Sequence, residues 1–384
     1  MSTFASEEFS LSLVGIELVN LSPPRHMGDC RFELSFHLRI PGQYLVDFVW
    51  TRENYAAVRD DVNAHPIAYA RRPLGFEGLF IFLGNSSHTL HAHAEVLQAS
   101  KLPSCRGFTD LSGRWVRSTL PDDLRNLFEK HSVPGKWNQL AFVQLENYRW
   151  VPWHCQLATM ASLTNEHHCL DTKSNNGMEI EINGDSHGLR IFKGIGRGLC
   201  RDVNRFLNFT LKEGRPYTYH MKDCGLPAGL VIYNSVYSES VSKALHSTMA
   251  RVTLLNFGSH NMQQPSPFAT HFRPGIEHLV RQWGRFPDST RSSKVVWYDL
   301  PISPFDRGGF VIGFRDGRTL ARCTLWNLAA ESRMRSIPNL LRVPLGSMSA
   351  PWYYNNPKND GHYLPQVYFE VAHAATAMVC GHSL

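Results

Sequence analysis

The first hundred residues are predicted to form β-strands from their alternating pattern of apolar and polar side chains. Residues 32–40 place Phe, Leu or Ile at every second position with polar residues between them, which is typical of a strand with one solvated face. Pro41-Gly42 then interrupts the pattern, and residues 44–50 resume it as a second strand. Further strands are predicted at residues 9–19, 78–83 and 89–97. Short strands separated by turn residues predict a small all-β sandwich, immunoglobulin-like in class, over residues 1–100.

From residue 151 onwards the pattern alternates between strands and helices. Residues 178–182 alternate and end at Asn183-Gly184-Asp185-Ser186, after which apolar residues recur at steps of three and four over 189–207. The other predicted strands cover residues 230–233, 252–257 and 295–298, and the other predicted helices cover residues 272–283, 320–334 and 367–378. Strands that alternate with helices predict an α/β domain with a mostly parallel sheet over residues 151–384.

Residues 101–150 separate these two regions and are rich in proline and glycine. One short helix is predicted within them, at residues 124–130. We interpret the segment as a connector that packs on the α/β domain.

Composition and charge exclude several classes of protein. Of the 384 residues 11% are aromatic and 19% are charged, a composition that excludes a disordered chain. The net charge is +6, and residues 1–150 carry 15 basic and 16 acidic side chains, so the positive excess lies in 151–384 and suits an anionic partner. No Lys/Arg block of five or more is present, so no nucleic-acid partner is predicted. Neither a membrane-spanning apolar run nor a signal peptide is visible in the sequence.

The eight cysteines leave two interpretations open. They are Cys30, Cys105, Cys155, Cys169, Cys200, Cys224, Cys323 and Cys380. No two of them form a C-x-x-C motif, which argues against a structural zinc site. An even number of cysteines spread along the chain fits disulfides, and it fits buried thiols equally well.

A candidate nucleophile lies where the first predicted strand of the α/β domain ends. Gly184-Asp185-Ser186 joins that strand to a helix, and in parallel sheets ligands bind outside the carboxyl ends of the strands. The backbone N–H of Ser186 would lie at a helix N-terminus, where it can stabilise an oxyanion. The alternative is that Ser186 only caps the helix, which is the commonest role of serine at such a position.

A serine nucleophile needs a base, and two later segments supply candidate partners. Asn359-Asp360-Gly361-His362 precedes the last predicted helix, where an acid close to a histidine can hold the imidazole in the tautomer that accepts a proton. Asn256-Phe257-Gly258-Ser259-His260 ends another strand, where the Asn256 amide can donate to an oxyanion. The alternatives are a surface-loop histidine and an asparagine that caps a turn.

The order of these three segments resembles that in the SGNH (GDSL-like) hydrolase fold and, more narrowly, in the PC-esterase superfamily. That superfamily includes trichome-birefringence-like polysaccharide O-acetyltransferases and the neurexophilin-and-PC-esterase-domain proteins. Three further segments look like motifs of the same group: Gly113-Arg114-Trp115-Val116, the run W-V-P-W-H-C-Q-L at residues 150–157, and Cys169-Leu170. The resemblance extends over residues 101–384 and, more weakly, over 1–100, where one branch of the group has an immunoglobulin-like module.

The resemblance implies a three-layer α/β/α domain and a serine-dependent carbohydrate O-acyl (acetyl) esterase or O-acetyltransferase. Ser186 would attack an acyl carbonyl, His362 would take its proton, and Asp360 would orient His362. The oxyanion would be bound by the N–H groups of Ser186 and Gly225 and by the Asn256 amide. The acyl-enzyme would pass its acyl group to water or to a sugar hydroxyl. The implied partners are therefore an acetylated glycan and, for a transferase, an acetyl donor.

The resemblance also implies roles for residues around these groups. Arg190 and His260 would contact the substrate, and Cys155 would form a disulfide with Cys169. No metal or cofactor would take part. Members of the group work in the secretory pathway, which implies the Golgi lumen or the extracellular space for this chain.

Two departures from the motifs of the group keep other functions open. Arg190 follows Ser186 by four residues where the group usually has three, and the Asp360/His362 pair is one residue closer than the usual D-x-x-H. The second departure favours a catalytically inactive secreted protein that binds glycan or protein through a degenerate SGNH domain. A metal-dependent hydrolase is a third alternative, although its candidate ligands lack the H-x-x-x-H spacing of a helical metal site. These ligands are His154, His167, His168 and His187.

Overall fold

The strands of the N-terminal region form one antiparallel sheet in the computed structural model. The structure describes residues 8–20, 25–29, 31–53, 67–71, 80–84, 86–98, 102–105, 111–119, 147–158, 179–188, 190–191, 194, 217–220, 229–234, 252–259, 262, 268–283, 294–301, 320–337, 340–352 and 365–381. The strands of this region are β1 (Glu8–Val14), β2 (Glu17–Asn20), β3 (Arg25–Gly28), β4 (Arg31–Glu33), β5 (Gly42–Glu53), β6 (Ile67–Arg71), β7 (Phe80–Leu83), β8 (Gly113–Arg117) and β9 (Tyr148–Pro152). Their order in the sheet is β6-β5-β1-β2-β8-β9, β7 also pairs with β5, and β3 and β4 form a separate hairpin.

This sheet differs from the predicted β module in two ways. A second large sheet packed against it, as an immunoglobulin-like sandwich requires, is not found in the described part of the chain, so the sandwich is not confirmed. In addition, β8 and β9 come from the segment that we interpret as a connector, and they extend the first sheet. The short helix predicted at 124–130 lies outside the described residues.

Residues 89–97, predicted as a strand, form part of helix α1 (Ser86–Gln98). The less exposed side chains recur with the spacing of one helix face, at Thr89, Ala92, His93 and Val96. The buried imidazole of His93 places Nε2 2.7 Å from the carbonyl oxygen of Arg117 on β8. The strand prediction was wrong: the apolar Leu90 is exposed, whereas the polar His93 is buried and its ring contacts the sheet.

The carboxylate of Glu17 on β2 fixes the chain that follows β4. Glu17 is fully buried, and its Oε2 accepts the backbone N–H groups of Arg39 at 2.8 Å and Ile40 at 3.0 Å. Its Oε1 accepts the Nε–H of Arg114 on β8. The strand predicted over 32–40 is confirmed only for β4, and at residues 39 and 40 a side chain rather than a neighbouring strand accepts the backbone N–H groups. Breaking such a buried ion pair by removing one partner typically costs about 3–5 kcal/mol.

The second sheet is mostly parallel, as the sequence predicts. Its strands are β10 (Glu179–Gly184), β11 (Tyr217–His220), β12 (Gly229–Asn234), β13 (Val252–Leu255), β14 (Lys294–Tyr298) and β15 (Leu340–Val343). They follow the order β11-β12-β10-β13-β14-β15, in which all pairs are parallel except β11 with β12. The strands predicted in this region are confirmed, while most of the helix predicted at 189–207 lies outside the described residues.

Helices lie on both faces of this sheet, which gives a mixed α/β architecture. The helices of this region are α2 (Arg273–Trp283), α3 (Leu320–Met334), α4 (Leu345–Ser349) and α5 (Pro365–Gly381). α2 and α3 pack on the face of β14 that carries Trp297, in one buried cluster with Leu279 and Trp326. The next residue, Tyr298, faces the opposite side of the sheet, where Tyr368 of α5 contributes to raising its pKa. None of the described helices is long and apolar enough to cross a bilayer.

Two tryptophans of the first sheet contact helices of the α/β region. Trp115 on β8 donates its Nε1–H to the carbonyl oxygen of Met348 on α4 at 2.8 Å, and its ring lies edge-on to Trp352 with centroids 5.2 Å apart. The backbone N–H of Trp150 on β9 donates to a carboxylate oxygen of Glu370 on α5 at 3.3 Å. Since all these side chains are buried, the antiparallel sheet is a fixed neighbour of α4 and α5.

A disulfide joins Cys105 to Cys155. The implied pairing of Cys155 with Cys169 is therefore wrong, and Cys169 itself lies outside the described residues. The backbone supports the observed pairing, because the N–H of Cys105 donates to the carbonyl oxygen of Gln156 at 3.1 Å. Among the cysteines that the structure describes, Cys323 is a buried thiol.

Candidate functional site

Ser186 follows the central strand β10, which lies between β12 and β13 and ends at Gly184. Residues 186–188 are helical, and the Oδ1 atom of Asp185 accepts the backbone N–H of His187 at 2.9 Å. This is the hydrogen bond of a helix N-cap, so Asp185, rather than Ser186, has the capping role. Ser186 then occupies the first helical position and is half-buried. Its backbone N–H belongs to the group that points outward at a helix N-terminus and favours negative charge.

The glycines on either side of the serine leave room for Tyr298, the last residue of β14. A Cβ atom at Gly184 would clash with the Tyr298 hydroxyl, and a Cβ atom at Gly188 would lie 2.7 Å from it. The glycine of the G-D-S motif is thus required by a close approach of a phenol to the backbone. The same approach brings the end of β14 next to Gly184-Asp185-Ser186, which we call the serine turn.

Asp185, His187, Tyr298 and Tyr368 form a buried polar cluster around the serine turn. Nδ1 of His187 lies 2.8 Å from the hydroxyl oxygen of Tyr368 on α5. Burial raises the pKa of Tyr298 well above its usual value, and the nearby Asp185 and Tyr368 raise it further. Tyr298 is therefore a neutral phenol at physiological pH. The cluster connects the serine turn to β14 on one side and to α5 on the other.

Asn256 lies directly after β13, next to the serine turn. A Cβ atom at Gly184 would be 3.5 Å from the carbonyl oxygen of Asn256, so the two strand ends are level. The buried Asn256 side chain donates Nδ2–H to the carbonyl oxygen of Tyr298 at 2.5 Å, and an amide nitrogen carries a second N–H. Gly258 has φ +128°, and a Cβ there would lie 2.8 Å from the ring of Phe272, so the loop also needs a glycine.

The structure brings together two of the residues that the sequence analysis selected, Ser186 and Asn256. Arg190 is half-buried and helical, and it lies one turn after Ser186. The remaining selected residues lie outside the described part of the chain: Gly225, His260, Asp360 and His362. The catalytic and binding roles of all these residues, including Ser186, Asn256 and Arg190, remain predictions.

Sequence reasoning missed the residues that hold the serine turn in place. Asp185 could have been found from the preference of aspartate for the N-cap position. Tyr298 and Tyr368 carry no local signal, because an aromatic side chain in a strand or helix is most often part of the core. Of the four candidate metal ligands, the two that the structure describes are His154, which is exposed, and His187, which is buried and bonded to Tyr368.

Comparisons with known proteins return little. No family model and no curated protein matches the chain. Among solved structures, the chain is similar to a protein of Parabacteroides merdae described as a GDSL-like lipase. The TM-score is 0.33 and the sequence identity 12%, and the match covers 52% of this chain and 96% of that one. Because this similarity is weak, function has to be inferred from the site itself.

Proposed function

We propose that this chain is a serine-dependent carbohydrate O-acyl (acetyl) esterase or O-acetyltransferase of the SGNH type, acting through an acyl-enzyme on Ser186. The observation that carries the proposal is the position of Ser186 at the first helical residue after the central parallel strand, two residues beyond Gly184, which is level with Asn256 at the end of the neighbouring strand. A nucleophile at this edge of the sheet has the N–H groups of a helix N-terminus and the side-chain amide of Asn256 nearby. Such donors stabilise the charge that develops in acyl transfer.

The reaction begins when Oγ of Ser186 forms a bond to the acyl carbon and its proton passes to His362. The carbonyl electrons move onto oxygen, where the N–H of Ser186, the N–H of Gly225 and the Asn256 amide bind the oxyanion. When this intermediate collapses, the sugar oxygen leaves with the proton from His362, which Asp360 orients. Water or a second sugar hydroxyl then cleaves the acyl-enzyme by the reverse steps. Arg190 and His260 contact the sugar, and no cofactor takes part.

The site of action that fits this activity is the secretory pathway, in the Golgi lumen or outside the cell. The disulfide between Cys105 and Cys155 supports this location, since disulfides persist in oxidising compartments. The positive excess in residues 151–384 suits an anionic glycan.

A second candidate function is a secreted glycan- or protein-binding protein with an inactive SGNH domain. The observation that favours it is the Asp360/His362 pair, which is one residue closer than in the group that the sequence resembles. A displaced acid would leave the imidazole without the partner that sets its tautomer.

Labelling with a fluorophosphonate and turnover of p-nitrophenyl acetate separate the two functions. We expect the purified chain to be labelled on Ser186 and to release p-nitrophenol, and we expect Ser186→Ala to lose both. The matched control is Ser349→Ala, which removes the hydroxyl of a buried serine that donates to the carbonyl oxygen of Gly346 at 3.1 Å. Absence of labelling and turnover in folded wild-type protein would overturn the enzyme proposal. Products from an acetylated oligosaccharide, with and without an acceptor sugar, then separate esterase from transferase.

A further inference from the structure

One hydrogen bond joins α5 to the residue that follows the candidate nucleophile. The Tyr368 hydroxyl and Nδ1 of His187 are 2.8 Å apart, and the two rings are tilted by 35° with centroids 6.0 Å apart. Both side chains are buried, with exposed fractions of 1% for Tyr368 and 2% for His187. A hydrogen bond in such surroundings is shielded from competing water.

His187 is held at two points, and both bear on the orientation of Ser186. Its backbone N–H donates to Asp185 at 2.9 Å, and its ring contacts Tyr368. Ser186 lies between two residues that are each fixed by buried contacts. The orientation of its N–H and of its Oγ therefore depends on those neighbours.

A second contact brings the same part of α5 against the chain that follows Ser186. A Cβ atom at Gly194 would lie 2.6 Å from the carbonyl oxygen of Tyr368, so the two backbones touch at this glycine. Tyr368 consequently meets the segment after Ser186 through its side chain at His187 and through its backbone at Gly194. A shift of α5 would move both contacts at once.

α5 is itself held in place by hydrogen bonds to another segment of the chain. Glu370 accepts the backbone N–H of Trp150 at 3.3 Å, and Nε2 of His373 lies 2.7 Å from the carbonyl oxygen of Ala158. The segment that supplies both partners includes Cys155 of the disulfide. α5 thus contacts the residue after Ser186 through Tyr368, and it contacts the disulfide-bonded segment through Glu370 and His373.

We propose that Tyr368 is a positioning residue that acts through His187 to hold Ser186 in the orientation for attack. The proposal rests on the proposed function. Loss of the Tyr368 hydroxyl would leave the fold in place and let the serine turn drift, and misplacement of a reacting group by about 1 Å can lower a rate by about 100-fold. We expect the Tyr368→Phe variant to lower kcat by about 10- to 100-fold and to leave KM within about twofold of wild type.

The matched control is Tyr148→Phe, which removes the hydroxyl of another buried tyrosine. That hydroxyl donates to the carbonyl oxygen of Gly15 in the first sheet. We expect Tyr148→Phe to keep the kcat of wild type, whereas Tyr368→Phe also slows fluorophosphonate labelling of Ser186 by the same factor as kcat. A double-mutant cycle with His187→Leu adds a second measurement. Since Tyr368 acts through His187, Tyr368→Phe should have no further effect on kcat in the His187→Leu background.

Three results would overturn the proposal. The first is a Tyr368→Phe variant with the kcat and labelling rate of wild type. The second is an equal loss of kcat in Tyr148→Phe and Tyr368→Phe, which would indicate a general effect on stability. The third is additive effects of Tyr368→Phe and His187→Leu. In all three cases wild-type protein is labelled and the proposed function stands, whereas wild-type protein that reacts neither with the fluorophosphonate nor with the ester overturns the proposed function as well.

Discussion

Asn256 donates a side-chain N–H to the backbone carbonyl oxygen of Tyr298 at 2.5 Å, which joins the ends of two adjacent parallel strands. This hydrogen bond fixes the amide plane, because the donor nitrogen must face the carbonyl. In the proposed function, the second N–H of the same nitrogen is a donor to the oxyanion.

Replacing Asn256 by alanine should lower the rate of acyl transfer without weakening substrate binding. Removal of one oxyanion donor typically lowers kcat by about 10²- to 10³-fold, so we expect a loss of this size in kcat with little change in KM. Steady-state kinetics with p-nitrophenyl acetate measure both constants.

The matched control for this variant is Asn327→Ala. The Asn327 amide also bonds to a strand end, at the N–H and the carbonyl oxygen of Leu300, but on the side of α3. We expect Asn327→Ala to lower the free energy of unfolding by about 1–3 kcal/mol, because it leaves buried backbone groups unpaired, and to keep kcat. If Asn256→Ala keeps the kcat of wild type, Asn256 is only a structural link between the strands.

The local patterns of the sequence predicted the second sheet and the serine turn because both are encoded by short runs of residues. β10 alternates polar and apolar residues, β13 and β14 are short runs rich in apolar residues, and the G-D-S motif begins at the last residue of β10. Contacts between distant residues have no such local pattern. His187 and Tyr368 are 181 residues apart, and Arg114 and Glu17 are 97 residues apart.

The same reasoning explains the errors in the N-terminal region and in the cysteine pairing. The alternation at residues 89–97 fits a strand as well as a helix face when one polar residue is buried, and His93 is that residue. Cysteine pairing depends on which chain segments meet, so the spacing of Cys155 and Cys169 could not exclude Cys105 as a partner.

The contact between Gly184 and Tyr298 predicts a rescue experiment. Gly184→Ala places a methyl group against the Tyr298 hydroxyl and should lower the free energy of unfolding by about 1–3 kcal/mol. Tyr298→Phe removes the hydroxyl, and the ring carbon that carried it would lie 3.2 Å from the new methyl group. In the Tyr298→Phe background the effect of Gly184→Ala should therefore be much smaller. Urea unfolding of the four proteins measures the difference.

Gly113→Ala is the control for this rescue. The added methyl group there meets the backbone carbonyl of Val151 on the neighbouring strand, so a change at Tyr298 cannot make room for it. We expect Gly113→Ala to be equally destabilising with Tyr298 or with phenylalanine at that position. Equal effects of Gly184→Ala in both backgrounds would contradict the contact.

The disulfide between Cys105 and Cys155 predicts a loss of stability that is specific to these two cysteines. The bond spans 50 residues of sequence, and removal of a disulfide that closes a loop of this size costs about 2–4 kcal/mol. We expect Cys155→Ala and treatment with a reductant to lower the thermal midpoint. Peptide mapping without reduction should recover Cys105 and Cys155 in one linked pair. A linked pair of Cys155 with Cys169 would show that the structure assigns the wrong partner.

Burial of Tyr148 predicts a loss of stability in alkaline solution. Burial raises the pKa of Tyr148 to about 12, although Arg117 opposes the shift, while a tyrosine in the unfolded chain ionises near about 10. Because the folded pKa is the higher one, the contribution of Tyr148 to stability is fully present below about pH 10 and is lost as the pH rises through about 12. A difference of this size corresponds to about 2–3 kcal/mol.

The variant that tests this effect is Tyr148→Phe, followed by urea unfolding over the same pH range. The pKa values of Tyr44 and Tyr298 are also raised by burial, so wild type and variant should both lose stability in alkali. Since those two tyrosines are present in both proteins, the difference between the two curves isolates Tyr148. The stability of the wild type minus that of the variant should fall by about 2–3 kcal/mol between about pH 10 and about pH 12, because only the wild type carries a phenol that ionises more easily in the unfolded chain. Parallel curves would mean that the Tyr148 phenol ionises equally easily in the folded and unfolded chains.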